Sequence, residues 1–226
     1  MILTILFSLL LVAFIGGNVS SVSFENGVRV TFIDMTVVLA VGYFFWESRD
    51  RLQALRQYLY IFGPFICVAF ISLLLQMGSF SQTELATASL YLWRFIAYSL
   101  LTMIIAYTKV LKKWALEGLW FSGILIGFFG IVQYFLYPNL RNLAYLGWDP
   151  HEFRVFSTLL DPNFTGILLV ATLILSLKMF RPKKTQRNIF IFIASGVCIL
   201  ALLLTYSRGS YLAFIAALLG IALIRK

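Results

Sequence analysis

Charge is what this sequence lacks. Only 12% of its 226 residues are Asp, Glu, Lys or Arg; nine are acidic and one is histidine. Hydrophobic types make up 61% and the mean hydropathy is +0.92. A soluble domain of this length cannot cover so much apolar surface, so the shortage of charge excludes the ordinary globular classes and leaves an integral membrane protein. Cysteine is nearly absent as well. Cys67 and Cys198 both lie inside apolar runs, with no metal-ligand spacing and no partner framework, and read as small hydrophobes. There is no phosphate-binding glycine loop of the GxxxxGK type, which removes support for ATP hydrolysis. No internal repeat or low-complexity linker divides the chain, so it reads as one transmembrane domain, 1–226.

What is present is a series of long apolar runs, near 1–22, 28–46, 58–76, 88–108, 114–137, 164–180, 188–205 and 210–224. Crossing about 30 Å of hydrocarbon takes about 20 helical residues, so most are the right size and the last is short. The runs are continuously apolar rather than alternating, which favours helices over a barrel. The expected fold is an all-α, polytopic helical bundle of about eight membrane helices. The first run, "MILTILFSLLLVAFIGG", has no basic residue ahead of it and no clear small-x-small cleavage site. It reads as a retained helix rather than a signal peptide.

The basic residues set the orientation. Thirteen of the 18 fall on alternate connections, at 47–57, 109–113 and 178–187, and at the C-terminal end: Arg49, Arg51, Arg56, Lys109, Lys112, Lys113, Lys178, Arg181, Lys183, Lys184, Arg187, Arg225 and Lys226. Alternation places all of them on one side, the cytoplasm, together with both termini. The net charge of +9 is thus a topology signal and not a nucleic-acid surface.

Five basic residues have no such explanation: Arg29, Arg94, Arg141, Arg154 and Arg208. An arginine at a helix centre costs about 2.5–3.5 kcal/mol on insertion scales, less toward the edge. Snorkelling or capping of helix C-termini accounts for Arg29 and Arg141, and Arg94 is evenly balanced between such a role and function. Arg154 stands in the longest external loop, 138–163, within "GWDPHEFRVFSTLLDPNFTGILL". Arg208 stands at the outer junction of the last two helices, within "LLLTYSRGSYLAF". An arginine, then Asp161-Pro162-Asn163 entering a helix with Gly166, then Thr-x-Ser-Arg-Gly one helix later, resembles the O-antigen ligase and polymerase family. The early "VRVTFIDMTVVLAVGY", with an aspartate early in the second helix, is similar to that family's N-terminal region. The likeness runs over most of the chain on short motifs.

The resemblance implies an enzyme of the bacterial cytoplasmic membrane that moves glycans from an undecaprenyl pyrophosphate carrier, in cell-surface polysaccharide assembly. Its partners would be that lipid-linked donor, a lipid or glycan acceptor and membrane lipid, without nucleic acid and without cofactor. The chemistry agrees with the residues. Guanidinium groups hold phosphate oxygens in a fork, stay charged, and offset charge growing on a departing pyrophosphate. Arg208 and Arg154 are therefore the expected catalytic residues, and Arg94, Ser207, Tyr206 and Asn163 the expected substrate-binding ones. Gly209 is expected to allow a close backbone approach.

Family members carry a later external loop with a histidine, which this chain does not contain. It is therefore expected to be the N-terminal half of a longer enzyme or a truncated product. His151, the single histidine, has a suitable pKa for a general base but not the family's position, and reads as a solvated loop residue. Asp149, Glu152 and Asp161 share that loop, yet a pyrophosphate site built from arginines needs no metal. Asp34 is expected to pair with Arg29 or Arg94 or to bond neighbouring helices, and Gly123, Gly127 and Gly130 to serve helix packing. The alternative function is a transporter or flippase for a lipid-linked or anionic substrate. Against it, the arginines gather toward one face and the helix breaks lie at helix ends rather than at the midplane.

Overall fold

The computed structural model describes residues 2–23, 29–47, 51–181 and 184–224. Arg49, Lys183, Arg225 and Lys226, four of the topology signals, lie outside the described residues. Eight α-helices account for nearly all of the rest: α1 (Ile2–Gly16), α2 (Phe32–Glu47), α3 (Arg51–Leu75), α4 (Gln82–Tyr107), α5 (Lys109–Leu136), α6 (Pro162–Met179), α7 (Thr185–Leu204) and α8 (Arg208–Ile224). Each overlaps one apolar run. Six stretches of the described residues are long and apolar enough to cross a membrane: Ile2–Ser20, Leu55–Leu75, Gln82–Tyr107, Lys109–Leu136, Pro162–Met179 and Thr185–Leu204. By length and composition this is a multi-pass helical membrane protein. The remaining two, α2 with 16 residues and α8 with 17, are shorter.

The connections are tighter than the apolar runs imply. Lys109, Lys112 and Lys113 are not in a loop but in the first turns of α5, and a single residue, Thr108, separates them from α4. Arg56 and Arg187 likewise stand within α3 and α7. Long basic side chains continue a helix without loss of rotamer freedom, so helices extend past the apolar run until a true stop signal. A second difference lies near 22–31. The first run ends in a short 3-10 turn at Gly17–Ser20, where Gly17 has φ +52°. A two-stranded antiparallel hairpin follows, β1 (Ser21–Ser23) with β2 (Arg29–Thr31), in the register Ser21–Thr31, Val22–Val30, Ser23–Arg29. β-Branched Val22, Val30 and Thr31 suit that pleat.

The described chain groups into two compact units. The first holds residues 1–13 and 20–115. Its core is Phe7, Phe44, Ile104 and Leu111. α3 and α4 form an antiparallel pair across the turn at 76–80, tied by the Tyr58 and Ser99 hydroxyls at 3.0 Å and by Phe62 against Phe95. The turn into α4 is stabilised by a capping box between Ser81 and Glu84.

The second unit holds residues 14–19 and 116–226. Its α6 is the most enclosed helix, with half of its span buried. Around it Leu169, Cys198 and Ala201 are fully buried. α5 approaches α6 through its glycines. A Cβ at Gly123 would stand 1.8 Å from Thr172 Oγ1, and one at Gly127 3.0 Å from Leu169 Cδ2. This is the packing role expected of a small-residue face. Trp120 crosses the same interface and donates Nε1–H to Ser176 Oγ at 2.8 Å. The amide of Val155 reaches Leu204 O at the end of α7, at 2.8 Å. The loop 137–161, the start of α6 and the α7–α8 junction therefore occupy one end of this unit, and the α6–α7 connection the other.

Candidate functional site

The site is built where α6 and α8 begin and α7 ends. Asp161 caps α6: its Oδ1 accepts from the amides of Asn163 and Phe164 at 2.7 and 2.9 Å, with Pro162 at the first helical position. Ser207 caps α8, its Oγ accepting from the Ser210 amide at 3.4 Å. The two helix starts are joined directly, because Ser207 Oγ donates to Asn163 Oδ1 at 3.0 Å. The two short motifs thus form one structure. Gly166 completes it. A Cβ there would lie 2.3 Å from Ser210 Oγ and 3.4 Å from Ser207 Cβ, so only glycine lets α8 pack this closely on α6.

Arg154 reaches the same junction from the loop. Its Nε donates to Thr205 O at 2.8 Å and its Nη2 to Tyr206 O at 3.4 Å. It covers the carbonyls of the turn that follows α7, where a cation is also favoured by the helix dipole. Arg208 lies two residues beyond Tyr206, so its Cα is within about 7 Å of the Tyr206 Cα. Both arginines therefore belong to one junction. Their states differ. Arg154 is half-buried and bonded to backbone, whereas Arg208 is exposed and has no hydrogen bond or ion pair to any described residue. Arg208 also begins α8, the end of the dipole that disfavours a cation.

Each other expected site residue has a definite place. Ser207 is 3% exposed, and its hydroxyl is consumed by Asn163, the Ser210 amide and the Ser210 hydroxyl at 2.9 Å. It builds the site rather than facing out of it. Asn163 is exposed, and with Oδ1 held by Ser207 its Nδ2 has no acceptor among the described residues. Tyr206 is 57% exposed with φ +50°. Gly209 corrects an expectation. A Cβ there would meet nothing within 4 Å, so no close approach of the protein's own backbone requires glycine. It leaves the start of α8 open beside Arg208, and the amides of Arg208 and Gly209 have no acceptor among the described residues.

Arg94 belongs to the first unit. Its Nε and Nη2 bond Asp34 Oδ1 and Oδ2 at 3.1 and 2.7 Å, a two-pronged ion pair, and Nη2 also bonds Arg29 O. Asp34 further accepts from the Thr31 amide at 2.8 Å and from Tyr98 Oη at 2.9 Å. This cluster fastens the hairpin and the start of α2 to α4. Arg141 pairs with Glu152 within the loop.

His151 is partly buried, with φ +41° and its ring 6.5 Å from that of Phe156, not simply solvated. Burial pulls its pKa below the ordinary histidine value. Arg154 adds to the lowering, and Asp161 and Asp149 oppose it.

Backbone strain marks the same place. Among the described residues the non-glycine positions in the left-handed region are His151, Phe153, Ser157, Leu160 and Tyr206, with φ from +41° to +55°. Each costs on the order of 1 kcal/mol or more, and such strain persists only where surrounding structure over-determines it.

Gln133, on α5, supplies part of that constraint and was not singled out by the sequence. Its Oε1 accepts from the Phe156 and Ser157 amides at 3.0 and 3.1 Å, and its Nε2 donates to Tyr137 O at 2.8 Å and Arg154 O at 3.3 Å. The available signal was a lone amide in the apolar stretch "GFFGIVQYFLY". No protein-family model, curated protein or solved structure matches the chain at a significant level.

Proposed function

We propose that this junction is the donor site of a membrane glycan-transfer enzyme of the O-antigen ligase and polymerase type. In this reading eight helices cross the bacterial cytoplasmic membrane, both termini are cytoplasmic, and loop 138–163 lies at the outer face. One observation carries it. The exposed groups of the junction include donors without partners among the described residues: the Arg208 guanidinium, Asn163 Nδ2, and the Arg208 and Gly209 amides at the start of a helix. Such a set suits the oxygens of a pyrophosphate. An acceptor hydroxyl attacks the anomeric carbon, the bond from that carbon to the pyrophosphate oxygen breaks, and the hydroxyl proton passes through water to the leaving pyrophosphate. Arg208 then faces the charge that accumulates on the leaving undecaprenyl pyrophosphate. Arg154 fixes the junction through the Thr205 and Tyr206 carbonyls.

The test is binding of undecaprenyl pyrophosphate to the purified chain in nanodiscs. Arg208→Ala and Arg208→Lys should each weaken it by about one to two decades, since lysine keeps the charge and loses the fork. Unchanged affinity in both variants would refute the site. Orientation is checked separately with cysteines at Asn142 and Lys184 in a background without Cys67 and Cys198. An impermeant thiol reagent should label position 142 and not 184 in intact cells.

A further inference from the structure

We infer that Gln133 is the positioning residue of the candidate functional site, acting through Arg154. The segment 154–157 is a wedge driven into the second unit. Val155 and Phe156 are fully buried and Ser157 is 4% exposed. Val155 occupies the notch left by Gly130, where a Cβ would come within 2.6 Å of its Cγ1. Ser157 donates its hydroxyl to Ile126 O at 2.6 Å. Such a buried, partly left-handed segment has backbone groups that no helix or sheet can satisfy. Gln133 satisfies them, and its side chain is saturated in doing so, with two lone pairs and two N–H groups all used.

The amide orientation is not ambiguous. The Phe156 and Ser157 amides can only donate, and the Tyr137 and Arg154 carbonyls can only accept. No other side chain offers this combination at this length. Glutamate keeps the acceptors but sets a carboxylate against two carbonyls, and asparagine is one methylene too short to span both sides. The consequence is directional. The Arg154 carbonyl is held by Gln133 while its guanidinium holds the carbonyls of Thr205 and Tyr206. Gln133 thereby sets the geometry of the turn that presents Arg208, without facing the ligand itself.

The ligand half of this inference rests on the donor-site reading; the ordering half does not. Two measurements on the full chain in nanodiscs separate them. In the first, a nitroxide is attached at Phe153→Cys in a Cys67→Ser, Cys198→Ala background. The Gln133 protein should give an immobilised spectrum, and Gln133→Leu and Gln133→Glu mobile ones. Identical spectra would overturn the positioning role, whether or not any ligand binds. In the second, undecaprenyl pyrophosphate affinity is measured in a double-mutant cycle. Gln133→Leu should weaken binding about tenfold with Arg154 present and less than about twofold in an Arg154→Ala background. An equal loss in both backgrounds would show that Gln133 does not act through Arg154. If the unaltered chain has no affinity, the donor-site reading fails, and the label spectra alone decide the positioning role.

Discussion

Ser207 and Asn163, 44 positions apart, share a hydrogen bond of 3.0 Å that joins the cap of α8 to the first turn of α6. Ser207 also caps its own helix and accepts from Ser210, so its loss removes several bonds at once. Ser207→Ala should cost about 1–2 kcal/mol and Asn163→Ala about 1 kcal/mol. The double variant should fall short of the sum by at least about 0.5 kcal/mol, because both remove the same bond. Thermal unfolding in one detergent measures all three, and strict additivity would mean the bond contributes nothing.

Arg94 and Asp34 make the opposite case, a pair whose separation is costly. Their side chains are 23% and 14% exposed and the carboxylate is fully engaged. Arg94→Ala leaves that carboxylate without its counter-charge and should destabilise by on the order of 3 kcal/mol. Replacing both together, as Arg94→Met with Asp34→Leu, should recover much of the loss, since no unpaired charge remains. The same unfolding assay reads both. A double variant as unstable as Arg94→Ala would show that packing rather than charge dominates.

The glycines divide by the space around them. Alanine at Gly123, Gly130 or Gly166 would drive a Cβ to within 1.8, 2.6 or 2.3 Å of a neighbour. Each should cost several kcal/mol or prevent folding, because helices and a buried loop must separate. Alanine at Gly42 or Gly196, which face open space inside helices, should be neutral or stabilise by up to about 1 kcal/mol. Yield and thermal stability of the five variants check this, and a stable Gly166→Ala would contradict the close packing of α6 on α8.

These cases show what the sequence could carry. Continuous apolar runs signalled a helical membrane protein, six of whose helical stretches are long and apolar enough to cross a membrane, because a helix satisfies its own backbone and needs no distant partner. That Asp161-Pro162-Asn163 enters a helix was legible, and the structure adds that Asp161 caps it. The hairpin at 21–31 was not. Its strands are three residues long, too short for a period-2 signal, and they are held by Arg94 from 60 residues away through Asp34. Gln133 escaped notice because its four partners follow it only in the folded loop. Gly209 borders open space in the folded chain, which a glycine beside an arginine does not reveal in sequence. The basic connections suffered similarly, since Lys109 to Lys113 extend a helix as readily as they end one.

Arg154 and Arg208 stand at one junction, and stability and binding should separate them. Arg154 donates to the Thr205 and Tyr206 carbonyls, in the turn that follows α7. Arg154→Ala leaves those acceptors bare and should cost about 1.5–3 kcal/mol of stability. The Arg208 guanidinium makes no hydrogen bond or ion pair to a described residue and stands at the positive end of the α8 dipole. Arg208→Ala should therefore change stability by no more than about 0.5 kcal/mol, and any change should be toward greater stability. On the donor-site reading proposed above, an exposed cation that no described residue pairs would be answered by a pyrophosphate. Added undecaprenyl pyrophosphate should raise the unfolding temperature of the unaltered protein in a concentration-dependent way. That rise should vanish in Arg208→Ala and Arg208→Lys and be reduced in Arg154→Ala. Destabilisation by Arg208→Ala without ligand would give Arg208 a structural partner in the membrane, and an undiminished ligand-induced rise in that variant would remove Arg208 from the binding site.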